Sequence, residues 1–330
     1  MSASAPEHPA ATAPAPPWSG LLAIDKPAGV TSHDVVEKVR RRLHAPGAGH
    51  LGTLDPGASG LLLLALGAAT RCAPVWQGGE KTYEGTLTLG VVTSTQDLHG
   101  EVLERRAVEV DEVALRAASP ALVGELQQVP PMVSAIKVGG ERLYRRARRG
   151  EVVERAPRPI RVAEWTWLDF ALPEASFRIR CSGGTYVRTL VHDLGARLGC
   201  GAALRTLRRL RSEPFGIERA VTLRDLDARS ADEVLAEAGI PLERALEVLP
   251  ALALDDAGVA LIGHGQRPGL PRGAVATGIP VAAGARSVVA RDAGGRALAL
   301  GELEADASEP DRLRFCPHVV FPWAVRQGRW

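Results

Sequence analysis

The sequence predicts an α+β fold closed by a β-rich C-terminal module, and three features predict it. Between about residues 19 and 249, short apolar or period-two segments alternate with amphipathic helical ones. From residue 251 onward the pattern shifts to short apolar stretches between Gly/Pro turns, as in an all-β unit. The length, 330 residues, allows one large core or two domains. The expected division is a tail over 1–18, a main domain over 19–249 and a small module over 250–330.

Composition narrows the class. At 45% hydrophobic and 24% charged, with Gly 35 and Pro 24, the chain reads as globular and rich in turns. A net charge of +2 announces no nucleic-acid partner by itself. Cys72, Cys181, Cys200 and Cys316 form no Cys-x-x-Cys pair and no cysteine–histidine ligand spacing, so free thiols in a reducing cytosol are expected, without a metal site. The Ala/Pro-rich opening, residues 1–18, has no basic or apolar leader pattern and too little apolar surface to order itself. The longest apolar runs, such as 61–66, fall far short of a membrane span. A cytoplasmic protein that avoids membranes is expected.

Taken in order, Leu21-Leu22-Ala23-Ile24 is a short buried strand stopped by Asp25-Lys26-Pro27-Ala28-Gly29. Thr31 to Leu43 is a helix: Thr31 or Ser32 caps it, and Val35, Val36, Val39 and Leu43 form one stripe. Arg40, Arg41 and Arg42 suit its C-terminal dipole. Next comes Gly49-His50-Leu51-Gly52-Thr53-Leu54-Asp55-Pro56-Gly57-Ala58-Ser59-Gly60, one carboxylate in a loop of restricted backbone. Such a loop can fix one side chain in place, as catalysis requires, although Asp-Pro-Gly alone also reads as a plain turn. Leu61 to Leu66 is a buried strand and Ala68 to Trp76 a helix. In Lys81–Gly90, Tyr83, Leu87 and Leu89 share one face of a strand. Thr93 to Gly100 is a polar turn region, and Val108 to Ala118 a helix halted before Pro120.

Charge then gathers. From Lys137 to Arg161 nine bases oppose three acids, with Lys137, Arg142, Arg145, Arg146, Arg148 and Arg149 set on or beside a helix after Gly140 that turns Leu143 and Ala147 inward. That excess suits phosphate binding, although a basic run can also be a solvated face. Ser176 to Cys181 alternates as a strand, and Thr185 to Leu198 is a helix whose buried face is Val187, Leu190, Val191, Leu194 and Leu198. Tyr186 and Arg188 stand off that face in the first turn. Arginines in Cys200–Leu210 extend the basic surface, short acidic helices follow near 222–229 and 231–238, and Pro241 to Pro250 reads as a connector.

Residues 49–62 resemble the catalytic loop of TruB-type pseudouridine synthases, G-H-x-G-x-L-D-P-x-A-x-G-x-L, at every fixed position. Five further segments resemble the same family: Asp25-Lys26-Pro27 with the residues after it, the Lys81/Tyr83 strand, Gln128 to Lys137 (with Val133 where an aromatic is usual), Cys181 to Thr189, and Cys200 to Leu210, which is similar to the segment that closes the pocket. The resemblance implies a pseudouridine-synthase domain, a central mixed or antiparallel sheet flanked by helices, and a weaker match places a PUA-like RNA-binding unit at 250–330. It implies Asp55 as nucleophile, Arg188 as its ionic partner, and Tyr83 stacking on the target base. Tyr186 and Leu207 would line the pocket, Lys26 would support it, and His50 would replace the stacking lost when the base flips. The implied substrate is uridine 55 in the T-arm of tRNA, with the C-terminal unit reaching toward the acceptor stem, no cofactor and no obligate protein partner. Whether the carboxylate attacks the sugar or the base, or drives a glycal route, stays open. Two other functions fit the same residues: an RNA-folding factor without chemistry, and a glycosidase that would release free uracil. A guide-RNA-dependent relative of the dyskerin type would carry large basic tails, which this sequence lacks.

Overall fold

A computed structural model describes residues 18–325, except 135, 144, 145, 147, 148, 152, 277, 279, 280 and 282–286. The tail over 1–17 lies outside the described residues, whereas Trp18, expected to belong to it, packs against the core.

Two strands explain the most apolar stretches of sequence. β1 (Gly20–Lys26) and β3 (Ser59–Leu66) pair antiparallel along their whole length. Successive side chains leave opposite faces of a strand. Leu22, Ile24, Leu62, Leu64 and Leu66 therefore enter one core, and Leu21, Ala23, Leu61, Leu63 and Ala65 a second. A strand covered on both sides has no polar face to show. Between them runs α1 (Ser32–Arg42), opened by a Thr31/Asp34 capping box and buried through Val35, Val36 and Val39.

The remaining strands extend the sheet. β4 (Lys81–Leu89), β10 (Arg158–Ala171), β11 (Glu174–Cys181) and β12 (Ala202–Ser212) form its centre and far side. β7 (Gly124–Gln128) closes one edge and β14 (Val221–Thr222) the other, in the order β14-β1-β3-β12-β4-β11-β10-β7. β14/β1 and β12/β3 are parallel pairs and the other neighbours antiparallel, so the sheet is mixed, as expected. The buried face of β4 carries Tyr83, Leu87 and Leu89, and α4 (Val187–Arg197) covers it. Cys72, Cys181 and Cys200 are buried free thiols, and burial pushes the first two up to about 12.

Several elements differ from expectation for local reasons. The helix read over 68–76 splits into a 3-10 turn (Gly67–Cys72) and α2 (Pro74–Gln77), because Pro74 can only begin a new helix. The helix expected from Val108 starts at Glu112, where Asp111 supplies the cap, and becomes α3 (Glu112–Ala118). The 14-residue strand β10, which the sequence reading passed over, turns Ile160, Val162, Trp165, Trp167 and Phe170 inward, its alternation shifting phase at register irregularities between Val162 and Glu164 and between Trp167 and Asp169. The basic segment opens with a hairpin that turns at Gly139–Gly140, β8 (Lys137–Val138) with β9 (Glu141–Arg142). Leu143 is fully buried as expected; Ala147, Arg145 and Arg148 lie outside the described residues. The two acidic helices stand as read, α5 (Leu223–Ala228) and α6 (Ala231–Ala238), each opened by a capping box.

The stretch read as a connector is packed structure. Ile240, Leu242, Ala245, Leu246 and Leu249 join Leu21, Leu61, Leu63 and Trp76 in the second core, together with Val289, Ala297, Leu300 and Phe321 from the C-terminal module. That module is a five-stranded sheet with its own core around Leu252, Ile262, Leu303, Leu313 and Phe315. It is not purely β. Leu261 and Ile262 belong to α8 (Asp256–Gly263), following α7 (Leu242–Ala245), with Asp255 as its N-cap.

Candidate active site

β2 (Ala48–His50) pairs with β3, and residues 51–58 form the connection that carries Asp55. The Ala58 N–H donates to the Asp55 carbonyl at 3.0 Å, closing the turn that Asp-Pro-Gly encodes. Three elements grip this loop through its main chain. Ser32, at the start of α1 and buried, accepts from the Leu54 N–H and donates to the Leu54 carbonyl, both at 2.9 Å. Lys26, fully buried at the end of β1, donates to the carbonyls of Pro27 (2.9 Å), Val30 (2.8 Å) and Pro56 (3.4 Å). Arg209 of β12, also buried, donates to Leu61 O (2.7 Å) and Gly52 O (3.0 Å). Gly60 is obligatory here: its φ is +99°, and a methyl group would meet the Arg209 main-chain nitrogen at 2.7 Å.

The carboxylate faces Arg188. Arg188 Nε lies 3.2 Å from Asp55 Oδ2, and Nη2 lies 3.4 Å from Oδ1. The guanidinium also donates to Thr95 O (3.2 Å) and Val133 O (2.6 Å), tying three segments to the loop. Arg188 had been expected to stand off the buried face of its helix; it is 3% exposed, drawn inward by these acceptors. Asp55 keeps 45% of its side chain accessible, so a substrate can reach it. Burial raises its pKa above the ordinary carboxylate value, opposed by the charges of Arg188 and Lys26 and reinforced by Asp97. Burial lowers Lys26 to about 8, against the attraction of Asp55.

Two tyrosines flank the pair. Tyr83 is 8% exposed on β4, beside the Arg209 guanidinium, and burial raises its pKa. Tyr186 is half-buried, its ring centroid 5.7 Å from Arg188 Cζ, with burial raising its hydroxyl. Gln128 fixes Tyr186 from both sides: its amide accepts from Tyr186 N at 2.8 Å and donates to Tyr186 O at 3.0 Å. Leu207 lies half-buried on β12, its carbonyl 3.5 Å from Ser59 Oγ, and His50 opens the loop opposite Leu64.

The structure thus gathers Asp55, Arg188, Lys26, Tyr83 and Tyr186 around one point. The basic segment is more self-neutralised than its sequence implies. Arg149 forms a bidentate pair with Glu141 (2.7 and 2.9 Å), and both Arg149 and Arg146 meet Glu151. The arginines of β12 are not simply surface charge either: Arg209 is buried and Arg208 pairs with Asp25 at 2.7 and 3.0 Å. Residues that sequence reasoning passed over are Thr95, Asp97, Gln128 and Arg209. The signals for them were the polar turn at 93–100, the glutamine opening the Pro-Pro segment and, for Arg209, the arginine run of 200–210.

No helix among the described residues is long and apolar enough to cross a membrane, and no His/Cys/Asp/Glu group among them could hold a metal ion. Comparison with known proteins adds to this geometry. A model of the TruB family pseudouridylate synthase N-terminal domain matches residues 40–187, and one of the tRNA pseudouridylate synthase B C-terminal domain matches 188–247. Among curated relatives, tRNA pseudouridine synthase B of Burkholderia mallei is 44% identical over 294 residues, covering 89% of this chain and 96% of that protein. The protein of the same name from Opitutus terrae is 49% identical over 216 residues, 65% of this chain and 90% of its own. Among solved structures, a chain of a Cbf5-Nop10-Gar1 complex superposes with a TM-score of 0.70 at 29% identity, covering 93% of this chain and 87% of that one. A chain of an H/ACA RNP bound to a substrate RNA containing 2′-deoxyuridine gives 0.67 at 26% identity, over 94% and 92%.

Proposed function

Because the chain belongs to the TruB family of pseudouridylate synthases, we propose that it isomerises uridine 55 in the T-arm of tRNA to pseudouridine, with Asp55 as the nucleophile. The observation that carries this reading is the reachable Asp55 carboxylate held against the buried Arg188 guanidinium.

The reaction breaks the bond from C1′ to N1, turns the base and joins C1′ to C5. N1 gains a proton and C5 loses one, so the product has the mass of the substrate and no cofactor enters the balance. A uridine inside a stacked loop is out of reach and must first be flipped out. Tyr83 then offers a face for the extruded base, Tyr186 and Leu207 wall the site, and His50 fills the stack left behind. Arg188 holds Asp55 ionised and oriented where burial alone would favour the neutral acid. Lys26 anchors the loop through the Pro56 carbonyl and adds a second positive charge.

The tRNA is read by the shape of its T-loop, with phosphates met by the segment that contains Lys137, Arg142, Arg145, Arg146, Arg148 and Arg149. Glu141 and Glu151 hold Arg149 and Arg146 until phosphate replaces them. The C-terminal module acts as a PUA-like unit toward the acceptor stem, and the enzyme works in the cytoplasm. Tritium release from tRNA labelled at uridine C5 tests the reading. Wild type should release label from one T-loop uridine and retain the base, and Asp55→Asn should release none. Free uracil would instead mark a glycosidase, and tight binding without release a folding factor.

A further inference from the structure

We propose that His99 is a positioning residue, its imidazole seated on Gly57 so that it fixes the outer turn of the Asp55 loop. The inference rests on the synthase reading above and concerns how the nucleophile is held.

The inner side of the loop is bonded by Ser32, Lys26 and Arg209, and the Gly29 N–H donates to Pro56 O at 2.8 Å. Gly57, two residues after Asp55, makes no hydrogen bond among the described residues. What it meets is His99: a methyl group built on Gly57 would overlap the ring, 2.6 Å from Cδ2. The imidazole therefore fills the volume that a side chain at 57 would occupy. A glycine turn has the widest conformational choice of any residue, so a body pressed against it restricts where the loop can go.

His99 is suited to this because its own base is rigid. Asp97 Oδ1 accepts from the His99 N–H at 3.0 Å and from Thr95 Oγ1 at 2.7 Å, while Thr93 Oγ1 donates to Asp97 O at 2.7 Å. The same turn is bonded to β12 on both sides of Asp97: the Leu98 N–H donates to Leu204 O (2.9 Å) and the Leu204 N–H to Gln96 O (3.0 Å). Thr189 of α4 donates to Gln96 Oε1 at 2.7 Å, and Gln96 is held at a φ of +67° that a non-glycine residue adopts only under constraint. Thr95 O takes a bond from Arg188, so one turn supports both the partner of Asp55 and the loop that carries Asp55.

The pair makes a steric prediction. His99→Ala, Gly57→Leu and the exchange Gly57→Leu/His99→Ala are compared with wild type in single-turnover conversion with enzyme in saturating excess over tRNA, with tRNA affinity and thermal midpoint measured alongside. Each single variant should slow conversion by about tenfold with affinity and midpoint unchanged, since misplacing a reactive group costs rate rather than binding. The exchange should recover most of the wild-type rate, because one side chain replaces the other in the same space, and His99→Gln should retain more rate than His99→Ala. An unimpaired His99→Ala, an effect confined to affinity or to the midpoint, or an exchange no better than Gly57→Leu alone would overturn the inference. In each case an active wild type leaves the synthase reading standing; an inactive wild type, releasing no tritium, sinks that reading and this inference with it.

Discussion

At the residue scale the instructive group is Asp55. Enclosure favours its neutral form, and Arg188 and Lys26 are what hold the charge. A raised pKa means that the reactive anion is lost on acidification sooner than for a free aspartate. The acid limb of kcat/KM should therefore lie above the usual carboxylate range. Removing Arg188 takes away the largest opposing charge, so Arg188→Met should move that limb to higher pH and lower the rate at pH 7 by about a hundredfold or more; a pH–rate profile checks both. Asp55 and its pairing with Arg188 were legible through their motifs, 133 positions apart. The burial of Arg188 was not, because an arginine in the first turn of an amphipathic helix reads as exposed. Only the carbonyls of Thr95 and Val133, distant in sequence, draw it inward.

At the element scale, α1 does more than cover the sheet. Its first residue, Ser32, satisfies both main-chain groups of Leu54, next to the nucleophile. In Ser32→Ala those two buried groups lose their partner, which should cost about 1–3 kcal/mol of stability by urea unfolding and slow catalysis as well. A substitution on the outer face of the same helix, such as Arg41→Ala, should do neither. The helix and its cap could be read from Thr31, Asp34 and the valine stripe. The second duty of Ser32 could not, since a serine beside a cap already has a sufficient local explanation. Gln128 shows the same gap: its grip on Tyr186 joins the last residue of one strand to the start of a helix 58 positions later.

At the scale of the whole molecule, the two expected domains meet through a common core. The shift in composition after residue 250 was readable, but an apolar run looks the same whether it is covered on one face or two. Phe321, Leu300 and Val289 pack into the core that holds Leu21, Leu61, Leu63 and Trp76. The full chain should accordingly unfold in a single calorimetric transition. Removing residues 250–330 should lower the midpoint of the remainder markedly and expose a leucine surface prone to association, because each large apolar side chain stripped of its contacts costs about 2–5 kcal/mol. Two separate transitions, with the midpoint of the shortened protein unchanged, would show that the halves are independent.

The double cover of β3 also sets a timetable for synthesis on the ribosome. Leu61–Leu66 leaves the exit tunnel early, but the residues that shield its second face extend to Phe321. At about 5–20 residues per second, that face waits roughly 13–50 s for its last partner. During the wait the nascent chain displays a six-residue aliphatic strand without a single charge, the kind of segment that captures other unfinished chains. The strand that follows the catalytic loop is thus also where newborn copies of this enzyme have most need of a chaperone.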